Sequence, residues 1–256
     1  RLFARSFIVC DQLSNRRVVI LSAEILSCTQ AVKMEVVKRL KSIFGNDLYT
    51  IDNVLLSGTH THSGPGGYSH YALYNLSILG FDQQNFECIV NGMVQSIKKA
   101  HDNLAPGKIF INSGNIEDCG QNRSTVAYDN NPPDERAKYK GNTDKEMLLI
   151  KFVKIDGKEI GCLNWYAIHP TNRGNKNKLI TGDNKGYASY LFEKVKGTNI
   201  HDKETFIAAF ANSNCGDISG NVKYGVPDLA NDYSHMKEFG EKQYLKAQEI
   251  YNSAKI

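Results

Sequence analysis

The stretch Ser57-Gly58-Thr59-His60-Thr61-His62-Ser63-Gly64-Pro65-Gly66-Gly67-Tyr68 constrains the chain more than any other. It follows Val54-Leu55-Leu56, a short apolar run bounded by polar residues, which reads as a buried strand. Four glycines and a proline then forbid any regular continuation. The chain must turn there, and a turn so poor in side chains lets backbone approach a ligand closely. His60 and His62 are two residues apart, so in an extended segment both rings point to the same side. Imidazole is the commonest metal ligand and the usual acid or base near neutral pH. Two rings at the end of a buried strand point to a metal site, or to a base beside a ligand.

Around this turn, apolar strands and amphipathic helices alternate. Strands are expected over Leu2–Val9, Arg17–Ser22, Val54–Leu56, Lys108–Asn112 and Thr205–Phe210. Met147–Ile155 and Glu159–Tyr166 flank Asp156-Gly157, a strong hairpin signal. The spacing of Val32, Val36, Leu40 and Ile43 predicts a helix over Thr29–Phe44, with Ser27 and Gln30 as a capping box. Phe86, Val90, Met93, Ile97 and Ala100 predict a second over Gln83–Asn103, and further helices are expected over Tyr187–Lys196 and Ser234–Ala254. Cys119–Tyr139 lacks periodicity, contains Pro132-Pro133 and reads as an irregular loop. The class is therefore α/β or α+β, a mixed β-sheet core with flanking helices. No repeat or low-complexity linker divides residues 1–256, which read as one domain.

The formal net charge is only +4, with acids and bases interspersed, so a nucleic-acid interface is not expected. The six cysteines form no CxxC pair and are too sparse for a disulfide scaffold, although one or two bridges remain open in a secreted protein. No run is long enough for a membrane-spanning helix. Asn75-Leu76-Ser77 and Asn122-Arg123-Ser124 match the glycosylation acceptor pattern.

Three polar loops each follow an apolar strand and carry His60 and His62, then His169, then Asp217 and Ser219. Ligands in open α/β sheets sit beyond the carboxyl ends of strands, so the simplest geometry gathers these loops at one rim. Histidines there could hold Zn²⁺, which takes nitrogen ligands and acidifies bound water. A nearby hydroxyl and an arginine could bind or stabilise an oxyanion.

At this point the chain resembles the catalytic domain of the neutral/alkaline ceramidase family. The resemblance rests on six stretches in family order. They are Arg1–Val9, Gly58–Gly67, Gln121-Asn122-Arg123-Ser124, Trp165-Tyr166-Ala167-Ile168-His169-Pro170-Thr171, Gly182–Tyr190 and Asn214-Cys215-Gly216-Asp217-Ile218-Ser219. The resemblance implies zinc-dependent hydrolysis of the N-acyl amide of ceramide to a sphingoid base and a fatty acid. It makes His60 and His169 zinc ligands and His62 a catalytic assistant. Arg123 matches an arginine needed for activity. Ser219 matches a serine assigned as nucleophile in some accounts and as a positioning group for an attacking water in others. Asp183 and Asn184 read as a turn and cap that hold the helix behind the metal site, and Asp217 as a residue that orients its loop or a group at the metal.

Gly220 is a departure, standing where the family usually has proline and freeing the backbone after Ser219. The family's two other zinc ligands, a glutamate and a tyrosine, and its C-terminal immunoglobulin-like domain fall beyond Ile256. This implies that residues 1–256 are most of an N-terminal catalytic domain, completed by a second polypeptide segment, or else a lipid- or partner-binding chain without turnover. The resemblance further implies a membrane surface as the source of substrate, and a secreted, cell-surface, endomembrane or lysosomal location. A barrel amidohydrolase, which also uses His-x-His after a strand, would need eight strand–helix alternations that the sequence does not show.

Overall fold

The computed structural model describes residues 1–223, 226–227 and 231–254, without the side chains between 222 and 230. Strand β1 (Ala4–Cys10) pairs antiparallel with β2 (Arg17–Ala23), and β2 runs parallel to β3 (Val54–Gly58). Helix α1 (Gln30–Phe44) connects β2 to β3, the crossover that parallel strands require. After the histidine loop come a short helix α2 (Ala72–Asn75), a 3₁₀ turn over Leu76–Ile78 and the long helix α3 (Gln83–Asp102).

A second sheet follows in the order β4-β6-β7-β8. Strands β4 (Gly107–Asn115), β6 (Glu146–Lys154) and β7 (Glu159–Tyr166) are antiparallel neighbours, and β8 (Ile207–Asn212) lies parallel to β7. Helix α6 (Asp183–Val195) makes that crossover. Between β4 and β6 lie β5 (Gln121–Asn122), α4 (Thr125–Asp129) and α5 (Pro133–Arg136). Strand β9 (Ile218–Ser219), which pairs with β5, and the antiparallel pair β10 (Val222–Lys223) and β11 (Val226–Pro227) precede the last helix, α7 (Asp232–Ser253).

Period-two alternation assigns each face. Val19, Leu21 and Ala23 of β2 turn to α1 and α3, meeting Val32, Val36, Leu40, Val90, Met93 and Ile97. Phe7 of β1 and Ile20 of β2 turn the other way, onto Phe152, Leu163, Ala209 and Ala211 of the second sheet. Phe7 and Phe152 stack with centroids 4.6 Å apart. The far face of the second sheet, with Met147, Leu149, Cys162, Tyr166, Ala208 and Phe210, packs on Ala188, Phe192, Ala247, Ile250 and Tyr251 of α6 and α7. The result is four layers, helix–sheet–sheet–helix, with the two sheets face to face.

The mixed α/β reading holds, but the core is two mixed sheets rather than one. Several local expectations shift. Thr29 caps α1, its hydroxyl accepting from the Val32 amide at 3.4 Å, in place of the Ser27–Gln30 box. Ile43 is 48% exposed, so the stripe of α1 ends at Leu40. Helix α6 starts at Asp183, four residues before the expected Tyr187, because Asp183 takes the buried caps described below. The region from Cys119 to Tyr139 holds β5, α4 and α5, elements too short to show periodicity.

All six cysteines are free thiols. The Asn75 amide is buried and donates to the Ser69 carbonyl. The Asn122 amide donates to the Asn142 carbonyl and to Asp217 Oδ2, both at 2.8 Å. Both acceptor-pattern asparagines thus turn inward. Among the described residues no helix is long and apolar enough to cross a membrane.

Candidate metal centre

The site forms where strands of both sheets end. Beyond β3 the chain takes a left-handed turn at His60, with φ +74°. A non-glycine residue in that region costs of order 1 kcal/mol or more and marks a position held by its surroundings. The His60 amide donates to the Ile25 carbonyl at 3.0 Å, and the His62 amide to the Pro170 carbonyl at 3.4 Å. The segment is therefore not extended, and the same-side expectation fails as geometry. The rings meet nonetheless, because the turn folds them together.

Beyond β7, His169 forms a parallel bridge with Ser219 and donates its amide to the Ile218 carbonyl at 2.9 Å. Ring centroids of His60 and His62, and of His60 and His169, are 4.8 Å apart; those of His62 and His169 are 5.9 Å apart. One ring nitrogen from each of the three lies within 4.8 Å of the others.

Backbone carbonyls fix the tautomers. His60 Nδ1 lies 2.8 Å from the Leu26 carbonyl oxygen, and His169 Nδ1 lies 2.6 Å from that of Cys215. A carbonyl only accepts, so both Nδ1 atoms carry protons and both Nε2 lone pairs face the site. Orientation of a ligating histidine through its other nitrogen is the usual support of a metal site. His62 Nε2 lies 3.3 Å from His60 Nε2. Three imidazole nitrogens with two pre-set lone pairs suit a divalent ion that takes nitrogen ligands.

The electrostatics agree. Burial of the ring, then the proximity of His60, His169 and Arg123, lowers His62 to about 4. Burial and the Arg123 guanidinium also lower His169. Both are neutral at pH 7, the state that binds a metal or accepts a proton. Arg123 Nη2 donates to the Gly216 carbonyl at 2.9 Å and lies 3.4 Å from His169 Nε2. Its backbone amide donates to the Asp217 carbonyl at 2.8 Å.

Ser219 sits on β9, paired with Gln121 of β5, and is almost fully buried. Its hydroxyl meets the Asn221 side-chain oxygen, and the Asn221 amide donates to it at 3.4 Å. The structure thus places Ser219 beside His169 through the backbone while its hydroxyl is engaged by Asn221. Gly220 does not free this segment. Asn172 Nδ2 holds its carbonyl at 2.8 Å, and a Cβ there would come within 2.8 Å of the Asn172 side chain.

The residues read as loop supports do that work. Asp183 is buried with φ +55° and accepts from the amides of Asn172, Arg173 and Asn184 at 3.2, 2.9 and 2.7 Å. Burial raises its carboxyl to about 6 against those hydrogen bonds. Asn184 Nδ2 donates to the His169 carbonyl at 3.1 Å and to Asn172 Oδ1 at 2.6 Å. Lys185, in the same motif, was given no role by sequence reasoning. It is fully buried, and its Nζ donates to the carbonyls of Tyr166 and Ala211 at 2.7 and 3.1 Å, joining the ends of β7 and β8. Its signal in the sequence was a lysine in a turn otherwise rich in small residues. The carbonyls of Leu26 and Cys215 had none, since any residue supplies one.

Comparison with known proteins identifies the family. The family model described as neutral/alkaline non-lysosomal ceramidase, N-terminal, matches residues 1–256. Neutral ceramidase B of Dictyostelium discoideum is 47% identical over 221 residues, covering 86% of this chain and 31% of the relative. The neutral ceramidase of Pseudomonas aeruginosa is 40% identical over 256 residues, covering 99% of this chain and 37% of that protein. Its crystal structure superposes with a TM-score of 0.89 over 98% of this chain and 39% of that one. The chain thus spans about a third of the length of these curated relatives. Matched along its whole length by the N-terminal model, the chain belongs to the neutral/alkaline ceramidase family.

Proposed function

We propose that this chain supplies the metal-binding half of a zinc-dependent amidohydrolase that cleaves the N-acyl amide of ceramide. The observation that carries the reading is the convergence of His60, His62 and His169, two of them with lone pairs aimed by backbone carbonyls. His60 and His169 would hold Zn²⁺ through Nε2. The ion, when bound, supplies a Lewis acid and an acidified water.

The chain's own residues do the rest. His62, held neutral, accepts a proton beside the scissile amide and returns it to the departing amine. Arg123, anchored on the Gly216 carbonyl, places positive charge beside His169, where it stabilises oxygen anion developing on the acyl carbon. Ser219 positions the loop after β8 against His169. Its engagement with Asn221 favours this supporting role over that of a nucleophile, which would need a base at its hydroxyl.

Residues 1–256 act as one domain, most of an N-terminal catalytic domain, whose remaining metal positions are filled by a following polypeptide segment. A membrane surface presents the substrate. Leu73, Leu76 and Leu79, beyond the histidine loop, are 79%, 73% and 97% exposed and offer apolar contact to it. The protein works outside the cytosol, secreted, at the cell surface or in an endomembrane compartment. The alternative reading is a lipid- or partner-binding chain without turnover.

Metal analysis and a fluorescent ceramide separate the two. In the full-length protein we expect stoichiometric zinc, lost in His60→Ala and His169→Ala, and hydrolysis of ceramide in preference to a simple acyl amide. His62→Ala should keep the metal and lose most turnover. Metal binding with no turnover on either substrate would leave the binding reading, and a wild-type protein that takes up no metal would overturn the metalloenzyme.

A further inference from the structure

His60 follows a strand of one sheet and His169 a strand of the other. The two sheets meet through Phe7, Phe152, Leu163 and their neighbours, an apolar contact that carries no direction. Packing of that kind tolerates small slides, whereas ligand distances at a divalent ion tolerate about 0.2 Å. Something directional must therefore set the spacing of the two histidine loops.

Asn212, the last residue of β8, does this. Its Oδ1 accepts from the Ile168 amide at 3.3 Å, one residue before His169. Its Nδ2 donates to the Thr59 carbonyl at 2.6 Å, one residue before His60. One planar amide thus bridges the residues preceding both histidines and crosses between the sheets. Its own base is rigid. Lys185 holds the adjoining Ala211 carbonyl, and β8 runs in register with β7 up to the Asn212–Tyr166 pair.

We propose that Asn212 is a positioning residue that sets the His60-to-His169 distance for metal binding. The proposal rests on the metal-site reading above. The side chain has both an acceptor and a donor in a fixed plane, and the two loops ask for one of each. Asp keeps the acceptor toward Ile168 but turns a second acceptor onto the Thr59 carbonyl. Ala removes both.

The test uses the full-length protein. We expect Asn212→Ala to weaken zinc binding by about 10- to 100-fold, the range seen when outer-shell partners are removed. Asn212→Asp should fall in the same range although it retains the Ile168 contact, and it serves should the alanine variant fail to fold. Far-ultraviolet circular dichroism and urea denaturation of the metal-free variants show whether the fold is retained, so a fall in zinc affinity in a folded variant reports on the site and not on a general loss of stability. A metal-free readout runs in parallel: the nuclear Overhauser contact between the His60 and His169 rings should be present in wild type and lost in Asn212→Ala. Unchanged zinc affinity together with an unchanged ring contact would overturn the proposal. Absence of zinc from wild type would instead refute the metal-site reading, and the ring contact would still decide the role of Asn212.

Discussion

Lys185 offers the sharpest quantitative test of this structure. It is a charged side chain with no exposure, and its Nζ meets two carbonyls and no carboxylate. Burial lowers it from its ordinary 10.5 to about 7. The unfolded chain keeps the proton up to about pH 10.5. The folded chain releases it near 7, so between these values the unfolded state binds more protons and stability rises with pH. Each pH unit within that window is worth up to about 1.4 kcal/mol. From pH 7, where the folded group is half-titrated, to pH 9 the gain is about 2 kcal/mol.

Other groups move the opposite way. The buried thiol of Cys119, pushed up to about 12, stays protonated in the fold while an unfolded thiol ionises near 8.5. Subtracting a Lys185→Met variant removes such shared contributions and leaves the lysine. Urea denaturation of metal-free protein between pH 6 and 9.5 measures the difference, with wild type gaining about 2 kcal/mol on the variant from pH 7 to 9. Parallel curves across that range would show that the two carbonyls hold Lys185 charged in the fold, and would refute burial as the deciding effect.

Three further changes probe other layers. Gly58→Ala would bring a Cβ to 2.9 Å from the Ile25 carbonyl and 3.1 Å from the Ser27 backbone, so residues 25–27 must move, and with them the Leu26 carbonyl that orients His60. Zinc affinity should fall about tenfold or more by competition with a chromophoric chelator. Phe7→Ala empties the stacked pair between the sheets and should cost about 3–5 kcal/mol in urea denaturation. Arg5→Leu leaves buried Glu24 and half-buried Glu193 without their shared cation, which contacts them at 2.6 and 2.7 Å, and should cost about 3–5 kcal/mol in urea denaturation at pH 7.

What could be read from the sequence follows from which forces leave a local trace. Periodicity is local, so the longer strands, α1, α3 and α7 were legible to within a few residues, whereas the two-residue strands β5, β9, β10 and β11 were not. The hairpin at Asp156-Gly157 was legible, because Gly157 takes φ +90° in the turn between β6 and β7. Stacking of two sheets is not local. Nothing in Phe7 or Leu163 alone states that they face each other, and a single mixed sheet satisfies the same alternation. The helix-forming pieces α4 and α5 are shorter than the period that would reveal them. The histidines were legible as chemistry, whereas Arg123 was assigned only through the family resemblance. The left-handed turn at His60 was not legible, because a non-glycine residue is held in that conformation by its tertiary surroundings, which leave no local trace.

The division of the site between two sheets has a consequence for how the metal and the fold depend on each other. His60 and His62 ride on the sheet that α1 and α3 cover, and His169 on the sheet that α6 and α7 cover. A metal held by both joins two layers that directional contacts also link across the rim, among them Asn212 to Thr59, Thr61 to the Thr181 carbonyl at 2.8 Å and the His62 amide to the Pro170 carbonyl. Binding free energy at such a site is spent on the relative placement of the sheets, so it stabilises their contact more than either helix layer. Hydrogen exchange should show this as metal-dependent protection of the amides of His60, His62 and Thr181, which bond across loops at the rim. The amides of α1 and α7 should gain little, because their protection derives from cores that the metal does not touch. Equal gains in all layers would mean that the domain opens only as a whole, and that the sheets are not separable units.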